Sequence, residues 1–499
     1  MTRRLAAFLL LGLFVATSPA IAQPTTESVL IDANASAHAF PHLWEGMVGS
    51  GRAILTLRDS YRTDLKEVKQ AIDFRYVRFH NIFHDEVGVY DEDQQGHPLY
   101  NFAYVDQIYD GLLAAGVRPF VELSFMPRKL AARDAPHSFW YHPNVAPPAD
   151  WDKWTALIEA FARHLIQRYG EDEVAQWYFE VWNEPNIDFW PGEPKQSTYF
   201  QLYDTTARAL KKVSPRIRVG GPATAQAGWV DTFLQHCARE HVPVDFASTH
   251  VYGNDKSEDV FGTHEQIPRD KMVCRAVRKV HDQIAASAFP KLPLIWSEFN
   301  ASYMNEPEVT DSTYMGPWLA ETISQCDGLV DIMSYWTFSD VFEEQGVVKH
   351  PFYGGYGLLA ERGIPKPAFN AFVLLHKLGD ERITVDSDSV LATRREHGAL
   401  AVAVWNYAPP SESVPEKTIS LKFAGVAANA LATIWRVDVS HGNALTTYKA
   451  MGAPVSPTIA QIEQLRAAAL LPPPEKRALQ QGVIIVQVPS QGLVLLEIP

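Results

Sequence analysis

The sequence predicts an α/β fold in which a (β/α)8 TIM barrel carries an accessory all-β sandwich domain. Short apolar runs alternate with longer amphipathic stretches between residues 40 and 375, as in a parallel sheet with crossover helices. Beyond residue 380 the pattern changes to short strands joined by turns. The 499 residues are enough for one large domain and a smaller one.

Eight apolar runs supply the eight strands that close such a barrel. They are His42–Val48, Tyr76–His80, Arg118–Phe125, Trp177–Asn183, Ile217–Gly221, Phe246–Val251, Leu294–Glu298 and Ile332–Phe338. Helix-like segments separate them, at Asp64–Ala71, Phe102–Ala115, Trp151–Tyr169, Thr198–Val213, Trp229–Glu240, Asp270–Ala286 and Thr313–Cys326. With a further helix-like segment at Ala368–Leu378, we place the barrel at residues 40–378.

Six later segments read as strands of the accessory sandwich, which we assign to residues 23–39 and 379–499. They are Ile383–Val385, Leu400–Asn406, Thr418–Phe423, Ala432–Val437, Val483–Val488 and Leu493–Ile498. The early strand Ser28–Ile31 has no place among the eight barrel strands, so we expect it to pair with this module. Pro472–Pro474 indicates a loop.

The first 22 residues have the form of a secretory signal peptide. Arg3 and Arg4 precede an apolar run from Leu5 to Val15, and small residues lead to a cleavage point after Ala22. The alternative is a membrane anchor, but the run is shorter than the roughly 20 residues that a spanning helix needs. We expect a secreted or periplasmic protein that does not reside in a membrane.

The charge and the cysteines narrow the possible partners. A formal net charge of -14 repels phosphate-rich partners, so we exclude nucleic acid. The three cysteines, Cys237, Cys274 and Cys326, lie far apart and outside any metal-binding spacing, so we expect no structural metal. One disulfide or three buried thiols both fit the sequence, which also leaves the oligomeric state open.

Two of the barrel strands end in a glutamate. Strand four leads into Asn183-Glu184-Pro185, and strand seven ends Ser297-Glu298. Side chains at the carboxyl ends of barrel strands point into the active-site mouth. Hydrolysis of a glycoside needs two carboxyl groups beside one bond, one protonated and one ionised, and Glu184 and Glu298 are such a pair. Two ordinary loop charges are the alternative.

Other polar and aromatic residues share these strand ends. His250 and Tyr252 are two apart and therefore share a face, and with His80 they can surround a polyhydroxylated ligand. His80 also fits a structural role. A metal site is the other alternative, but no HxH or HExxH pair supports it. Asn183 can donate to a sugar 2-hydroxyl, while Trp336 and, less strongly, Trp190 suit a stacking platform.

These motifs together resemble glycoside hydrolase family 39, which contains β-xylosidases and α-L-iduronidases. The resemblance rests on VRFH, WNEPN, DFASTHVYG and WSEFN, and extends over residues 40 to 375. YWTFSDVFEEQG, at Tyr335–Gly346, followed by GGYGLL is similar to the β-xylosidase branch. Asn81 departs from this pattern, because a glycine is expected after the strand-two histidine.

The resemblance implies a retaining mechanism with Glu184 as general acid/base and Glu298 as nucleophile. It further implies that six residues contact the sugar: His80, Asn183, His250, Tyr252, Trp336 and Glu344. Glu343 is an alternative to its neighbour Glu344. The implied enzyme is an exo-acting β-xylosidase that acts on small xylo-oligosaccharides or glycosides without a cofactor. An α-L-arabinosidase, an α-L-iduronidase and a non-catalytic carbohydrate-binding barrel are the alternatives.

Overall fold

A computed structural model describes residues 26–499, so the predicted signal peptide lies outside the described residues. The predicted fold class is confirmed, because eight parallel strands form a closed barrel. Numbered along the chain, they are β3 (Met47–Gly49), β4 (Tyr76–Phe79), β7 (Arg118–Leu123), β8 (Tyr178–Val181), β9 (Arg218–Thr224), β10 (Phe246–His250), β11 (Leu294–Phe299) and β12 (Ile332–Tyr335). They close the barrel in sequence order, β12 pairing with β3.

Amphipathic helices surround the barrel and bury their apolar faces against it. They are α1 (Asp59–Ala71), α2 (Ala103–Ala114), α3 (Trp151–Tyr169), α4 (Glu171–Val174), α5 (Lys195–Val213), α6 (Val230–Glu240), α7 (Ser257–Phe261), α8 (Arg269–Ala285), α9 (Pro307–Thr310), α10 (Met315–Cys326) and α11 (Pro367–Leu375). Two small hairpins lie in loops: β5 (Tyr90–Glu92) with β6 (Pro98–Tyr100), and β13 (Leu359–Ala360) with β14 (Ile364–Pro365). Within residues 26–499, no helix has both the length and the apolar character needed to cross a bilayer.

The first barrel strand is shorter than the sequence predicts. Within the predicted strand His42–Val48, Leu43–Glu45 forms a 3-10 turn, and the strand itself spans only Met47–Gly49. The buried Glu45 carboxylate accepts hydrogen bonds from His42, at 3.2 Å, and from His376, at 2.8 Å. This turn therefore joins the base of the barrel to the end of α11.

The accessory module is a sandwich of a three-stranded and a seven-stranded sheet. Its strands are β1 (Thr26–Asp32), β2 (Ala37–Ala39), β15 (Glu381–Ile383), β16 (Val390–Arg394), β17 (Leu400–Asn406), β18 (Lys417–Ala424), β19 (Leu431–Val437), β20 (Glu475–Ala478), β21 (Val483–Val488) and β22 (Gly492–Ile498). The early strand pairs with this module, since β1 lies parallel to β18 with Val29 opposite Leu421. The three-stranded sheet has the order β1-β18-β21.

The sandwich also carries two helices that the sequence analysis did not predict. Two helices, α12 (Ala444–Ala450) and α13 (Ile459–Ala469), lie between β19 and β20. Side-chain caps start both helices: Asn443 accepts from the Leu445 amide, and Thr458 and Gln461 form a capping box. They pack on the β13–β14 hairpin through Leu445, Tyr448 and Leu465.

The sandwich is fixed to the barrel by shared apolar packing. β17 is buried along its whole length, so one face fills the sandwich core while Ala401, Ala403 and Trp405 join the main barrel core. The Trp405 indole donates to the Glu321 carboxylate of α10 at 3.1 Å. A disulfide joins Cys274 of α8 to Cys326 of α10, and Cys237 is a buried free thiol.

Candidate active site

A cavity of about 350 Å³ opens at the carboxyl ends of the barrel strands. Seven predicted site residues line it: His80, Asn183, Glu184, Tyr252, Glu298, Trp336 and Glu344. The wall is completed by Phe139, Ile187, Phe189, Ala225, Gln226, Asp255, Tyr303, Gln345 and Tyr356. Barrel closure therefore brings together residues that are far apart in the chain.

A fully buried arginine lies directly beneath the cavity. The Arg78 guanidinium contacts three carboxylates, Glu122 at 2.8 Å, Glu180 at 2.6 Å and Glu298 at 2.5 Å. It also donates to the Asn183 amide oxygen at 3.0 Å. Burial acts to lower the pKa of Arg78, but the carboxylates outweigh it and raise the pKa. One permanent cation thus orients a carboxylate of the cavity and two of the barrel interior.

Glu298 is held in one orientation by two donors. Its Oε1 accepts from Arg78, and its Oε2 accepts from the Tyr252 hydroxyl at 2.6 Å. Burial and the nearby glutamates raise the pKa of Tyr252 well above its ordinary value, so this phenol stays protonated. An arginine and a phenol that both donate stabilise the ionised form of a carboxyl group. Glu298 is therefore fixed by two donors, with its carboxyl group at the cavity wall.

Glu184 has the opposite environment. Burial first, then the nearby Glu298 and Asp255, raise its pKa well above the ordinary range. Its Oε1 lies 3.0 Å from His250 Nδ1. The backbone at Glu184 has φ 44°, a left-handed conformation rare outside glycine, and its amide donates to the Ala223 carbonyl at 2.7 Å. This carboxyl group is suited to carry a proton at neutral pH.

The two carboxyl groups are close together. Glu184, Glu298 and His250 each offer one oxygen or nitrogen atom, and these three atoms lie within 4.8 Å of one another. The same three groups are a possible metal-binding set. The Arg78 guanidinium already contacts the Glu298 carboxylate, however, and both His250 nitrogens have protein partners. The contacts therefore fit a pair of catalytic carboxyl groups better than a metal centre, and the expected lack of a metal stays a prediction.

His80 and Glu344 form a second acid–base pair in the cavity. His80 donates or accepts at Nδ1 with Glu122 at 2.7 Å, and its Nε2 lies 3.7 Å from Glu344. Burial acts to lower the pKa of His80, but Glu122 and Glu298 outweigh it and raise the pKa. Burial raises the pKa of Glu344 to about 8. The pair offers both donors and acceptors to a ligand hydroxyl.

Three residues that the sequence analysis considered for the site lie outside the cavity wall. His250 is fully buried and lies behind Glu184 rather than on the cavity wall, because both its nitrogens are bonded to protein groups. Trp190 is buried away from the cavity and donates to Thr198 at 3.1 Å. Glu343 forms ion pairs with Arg52, at 3.2 Å, and with Arg58. Of the two neighbouring glutamates, only Glu344 therefore lines the cavity.

Asn81 has a local explanation. Its φ is 75°, the left-handed region where glycine is most at ease and where asparagine is among the best-tolerated alternatives. Its backbone amide donates to the Ser124 hydroxyl at 3.1 Å, and it does not line the cavity. Asparagine in place of the expected glycine is therefore compatible with the left-handed backbone at this position.

The sequence analysis missed several residues of the site. Asp255 lines the cavity, accepts from the Tyr252 amide at 2.7 Å, and has a pKa that burial raises to about 7. Glu122 and Glu180 were treated as parts of apolar strands. A single acid inside an otherwise apolar strand, as in FVEL and YFEV, is the signal that could have found them.

Comparison with known proteins decides the family. The family model described as glycosyl hydrolases family 39 matches residues 27–480. The chain belongs to this family. It is 40% identical over 455 residues to a β-xylosidase of Geobacillus stearothermophilus, with 89% of this chain and 90% of the relative covered. It is also 35% identical to a β-xylosidase of Caldicellulosiruptor saccharolyticus, with 88% and 90% covered.

A solved structure agrees with this assignment. The crystal structure of a monomeric β-xylosidase from Caulobacter crescentus CB15 is 34% identical, with a TM-score of 0.86 over 95% of this chain and 99% of that one. The expected family and the expected enzyme class are thereby confirmed. This family 39 member is a glycosidase of the TIM-barrel type.

Replacing Arg78 by methionine should destabilise the enzyme strongly. The change leaves three buried glutamates without their shared cation, which costs about 3–5 kcal/mol of unfolding free energy. Urea denaturation followed by tryptophan fluorescence measures the loss. The control is Arg163→Met, which removes an exposed arginine from Glu159, a carboxylate that keeps its pair with Lys212 at 2.7 Å, and should change stability by about 0.5 kcal/mol or less. Equal losses in the two variants would refute the structural role of Arg78.

Proposed function

We propose that this family 39 glycosidase is a retaining, exo-acting β-xylosidase. Glu184 is its general acid/base, Glu298 is its nucleophile, and it releases xylose from the non-reducing ends of short xylo-oligosaccharides. The observation that carries the proposal is that one carboxyl oxygen of Glu184 and one of Glu298 lie within 4.8 Å of each other. Retaining enzymes hold this pair about 5–5.5 Å apart, whereas inverting enzymes need about 6.5–9.5 Å for a water molecule.

The two steps follow from the contrast between the glutamates. In the first, the Glu298 carboxylate attacks the anomeric carbon while protonated Glu184 gives its proton to the glycosidic oxygen, whose bond to carbon breaks. In the second, ionised Glu184 takes a proton from water, whose oxygen attacks the same carbon and releases Glu298. Both carboxyl groups then regain their starting states.

The lining of the cavity favours a neutral pentose over a uronate. A sugar carboxylate calls for a lysine or arginine, and none in residues 26–499 lines this cavity. Asp255 and Glu344 lie there instead. Lys271 of α8, for example, pairs with Glu321 and Asp270. The volume of about 350 Å³ lies near the lower limit for small-ligand sites, which suits one short glycoside.

In this proposal five residues hold the sugar beside the glutamates: His80, Asn183, Tyr252, Trp336 and Glu344. The Asn183 amide oxygen is occupied by Arg78, which leaves the amide nitrogen to donate to a 2-hydroxyl. Trp336 lines the cavity and can stack on the C–H face of the ring. His250 acts through Glu184 rather than on the sugar.

A retaining mechanism predicts the configuration of the first product. Double displacement at one carbon restores the starting configuration, so an aryl β-xyloside should release β-xylose before mutarotation produces the α form. Proton NMR of the anomeric region during the first minutes of hydrolysis measures this order. Initial release of α-xylose would overturn the role of Glu298 as nucleophile.

Azide should distinguish the two glutamates. Glu184→Ala should still form the glycosyl-enzyme from a 2,4-dinitrophenyl xyloside, whose leaving group needs little protonation, but should stall there. Added azide can then attack without a base and should restore turnover as β-xylosyl azide. Glu298→Ala forms no such intermediate, so its azide product should have the α configuration.

Glu306→Ala is the matched control for the azide experiment. Glu306 is a carboxylate outside the cavity that pairs with Arg269 at 3.0 Å. This variant should keep normal turnover and show no response to azide. An α-xylosyl azide from Glu184→Ala, together with a β-xylosyl azide from Glu298→Ala, would mean that the roles of Glu184 and Glu298 are reversed.

We also propose that the enzyme is exported, with cleavage after Ala22. The Cys274–Cys326 disulfide supports an oxidising compartment, where such bonds persist. Expression of the full chain in a bacterium should give a periplasmic or extracellular product whose N-terminal sequence begins Gln23-Pro24. A cytoplasmic product that still carries residues 1–22 would refute this proposal.

A further inference from the structure

A chain of hydrogen bonds runs from the cavity into the barrel interior. Glu184 Oε1 lies 3.0 Å from His250 Nδ1, and His250 Nε2 lies 3.0 Å from the Ser297 hydroxyl. Ser297 donates to Glu180 Oε1 at 2.7 Å, and Arg78 Nε donates to Glu180 Oε2 at 2.6 Å. The chain therefore links the general acid to a permanent cation through His250, Ser297 and Glu180.

A strand irregularity puts Ser297 in this position. In the pairing of β10 with β11, Thr249 lies opposite Trp296 and His250 opposite Glu298, so Ser297 is the extra residue of a β-bulge. In a regular strand, neighbouring side chains point to opposite faces. Here Ser297 and the adjacent Glu298 both contact groups of the barrel interior. The bulge is what lets one strand supply both groups.

Glu180, at the buried end of this series of hydrogen bonds, determines which group donates in each of them. Burial raises the pKa of Glu180, but Arg78 opposes this rise through a direct contact with its carboxylate. A carboxylate paired with a guanidinium accepts hydrogen bonds and donates none. The Ser297 proton is thus directed to Glu180, and the Ser297 oxygen must accept from His250 Nε2. His250 is fully buried, and burial with the nearby Arg78 and His80 lowers its pKa well below the ordinary value, so it carries one proton only.

On the basis of the proposed function, we propose that Ser297 and Glu180 are positioning residues for the general acid. They hold His250 in the tautomer protonated on Nε2, so that its Nδ1 is an acceptor that only the protonated form of Glu184 can satisfy. The other ionisable groups that act on Glu184 and His250 are Glu298, Glu344, Asp255, Arg78 and His80. Those groups act on Glu184 and His250 through their charges. The tautomer of His250 adds a hydrogen bond that forms only with protonated Glu184.

Removing the Ser297 hydroxyl should lower the pKa of Glu184. Without that acceptor, His250 can move its proton to Nδ1 and donate to ionised Glu184, which favours the ionised form. The alkaline limb of the kcat/KM profile should therefore move down by about one pH unit in Ser297→Ala, the scale of one hydrogen bond. For an alkyl xyloside, kcat/KM at a pH on the alkaline limb should fall by up to about tenfold, because a shift of one unit lowers the protonated fraction of Glu184 by at most that factor. For a 2,4-dinitrophenyl xyloside it should stay within about twofold, because that leaving group hardly needs the acid.

Two variants separate this role from simple packing. Ser297→Thr keeps the hydroxyl and should restore the pH profile. Ser334→Ala removes another fully buried serine hydroxyl of the barrel, one without a hydrogen-bond partner, and should leave the profile unchanged. An equal loss on both substrates with an unmoved alkaline limb in Ser297→Ala would overturn the proposal.

Neutron diffraction of the unaltered enzyme tests the tautomer directly and does not depend on any variant. Deuterium should be found on His250 Nε2 and on Glu184 Oε1. Deuterium on His250 Nδ1 would overturn the assignment, since that nitrogen would then donate to Glu184 instead of accepting from it. An unaltered enzyme that hydrolyses no aryl xyloside would instead refute the proposed function, and the tautomer assignment would still stand or fall on the neutron result.

Discussion

The pairing of Arg78 with Glu122, Glu180 and Glu298 is the interaction on which the rest of the site depends. Burying one charge of this kind is costly, and only an opposite charge in direct contact makes it tolerable. Three carboxylates around a single cation leave an excess of negative charge inside the barrel. The raised pKa values of His80, Glu184 and Glu344 act together to reduce that excess, because each favours the more protonated form. The charge balance of the barrel interior and the protonation of the residues that line the cavity therefore depend on each other.

Chemically identical side chains take different roles here because their neighbours differ. Glu298 receives donors from Arg78 and Tyr252, whereas Glu184 faces a histidine nitrogen and two other acids. The contrast does not arise from exposure, since both side chains are largely buried. It arises from which hydrogen-bonding groups the strands β8, β10 and β11 present at the same depth of the barrel.

Much of this arrangement could be predicted from the sequence. The features that could not be predicted are those that depend on contacts between distant parts of the chain. Glu184 and Glu298 could be found because each ends an apolar strand, where the barrel geometry leaves few places for a side chain to point. Seven of the eight barrel strands were recognisable by their apolar runs, but the 3-10 turn at Leu43–Glu45 was not, because Leu43 and Trp44 continue the apolar run that leads into β3. The helix α13 was missed although Thr458 and Gln461 have capping-box spacing, since strands dominate on both sides. Alternation places His250 on the same face as Tyr252 but does not give its depth, which depends on packing between strands and leaves His250 behind Glu184.

The pairing of β1 with β18 has a consequence for how the chain folds. β1 is the first strand of the described residues, and its partner lies in Lys417–Ala424, after the whole barrel. A growing chain therefore carries an unpaired strand, with Val29 and Ile31 exposed, until nearly all of the polypeptide has been made. Closing so long a loop is slow, and an open strand edge invites pairing with another chain. Until β18 has been made, pairing of β1 with a second copy of the chain therefore competes with the native pairing.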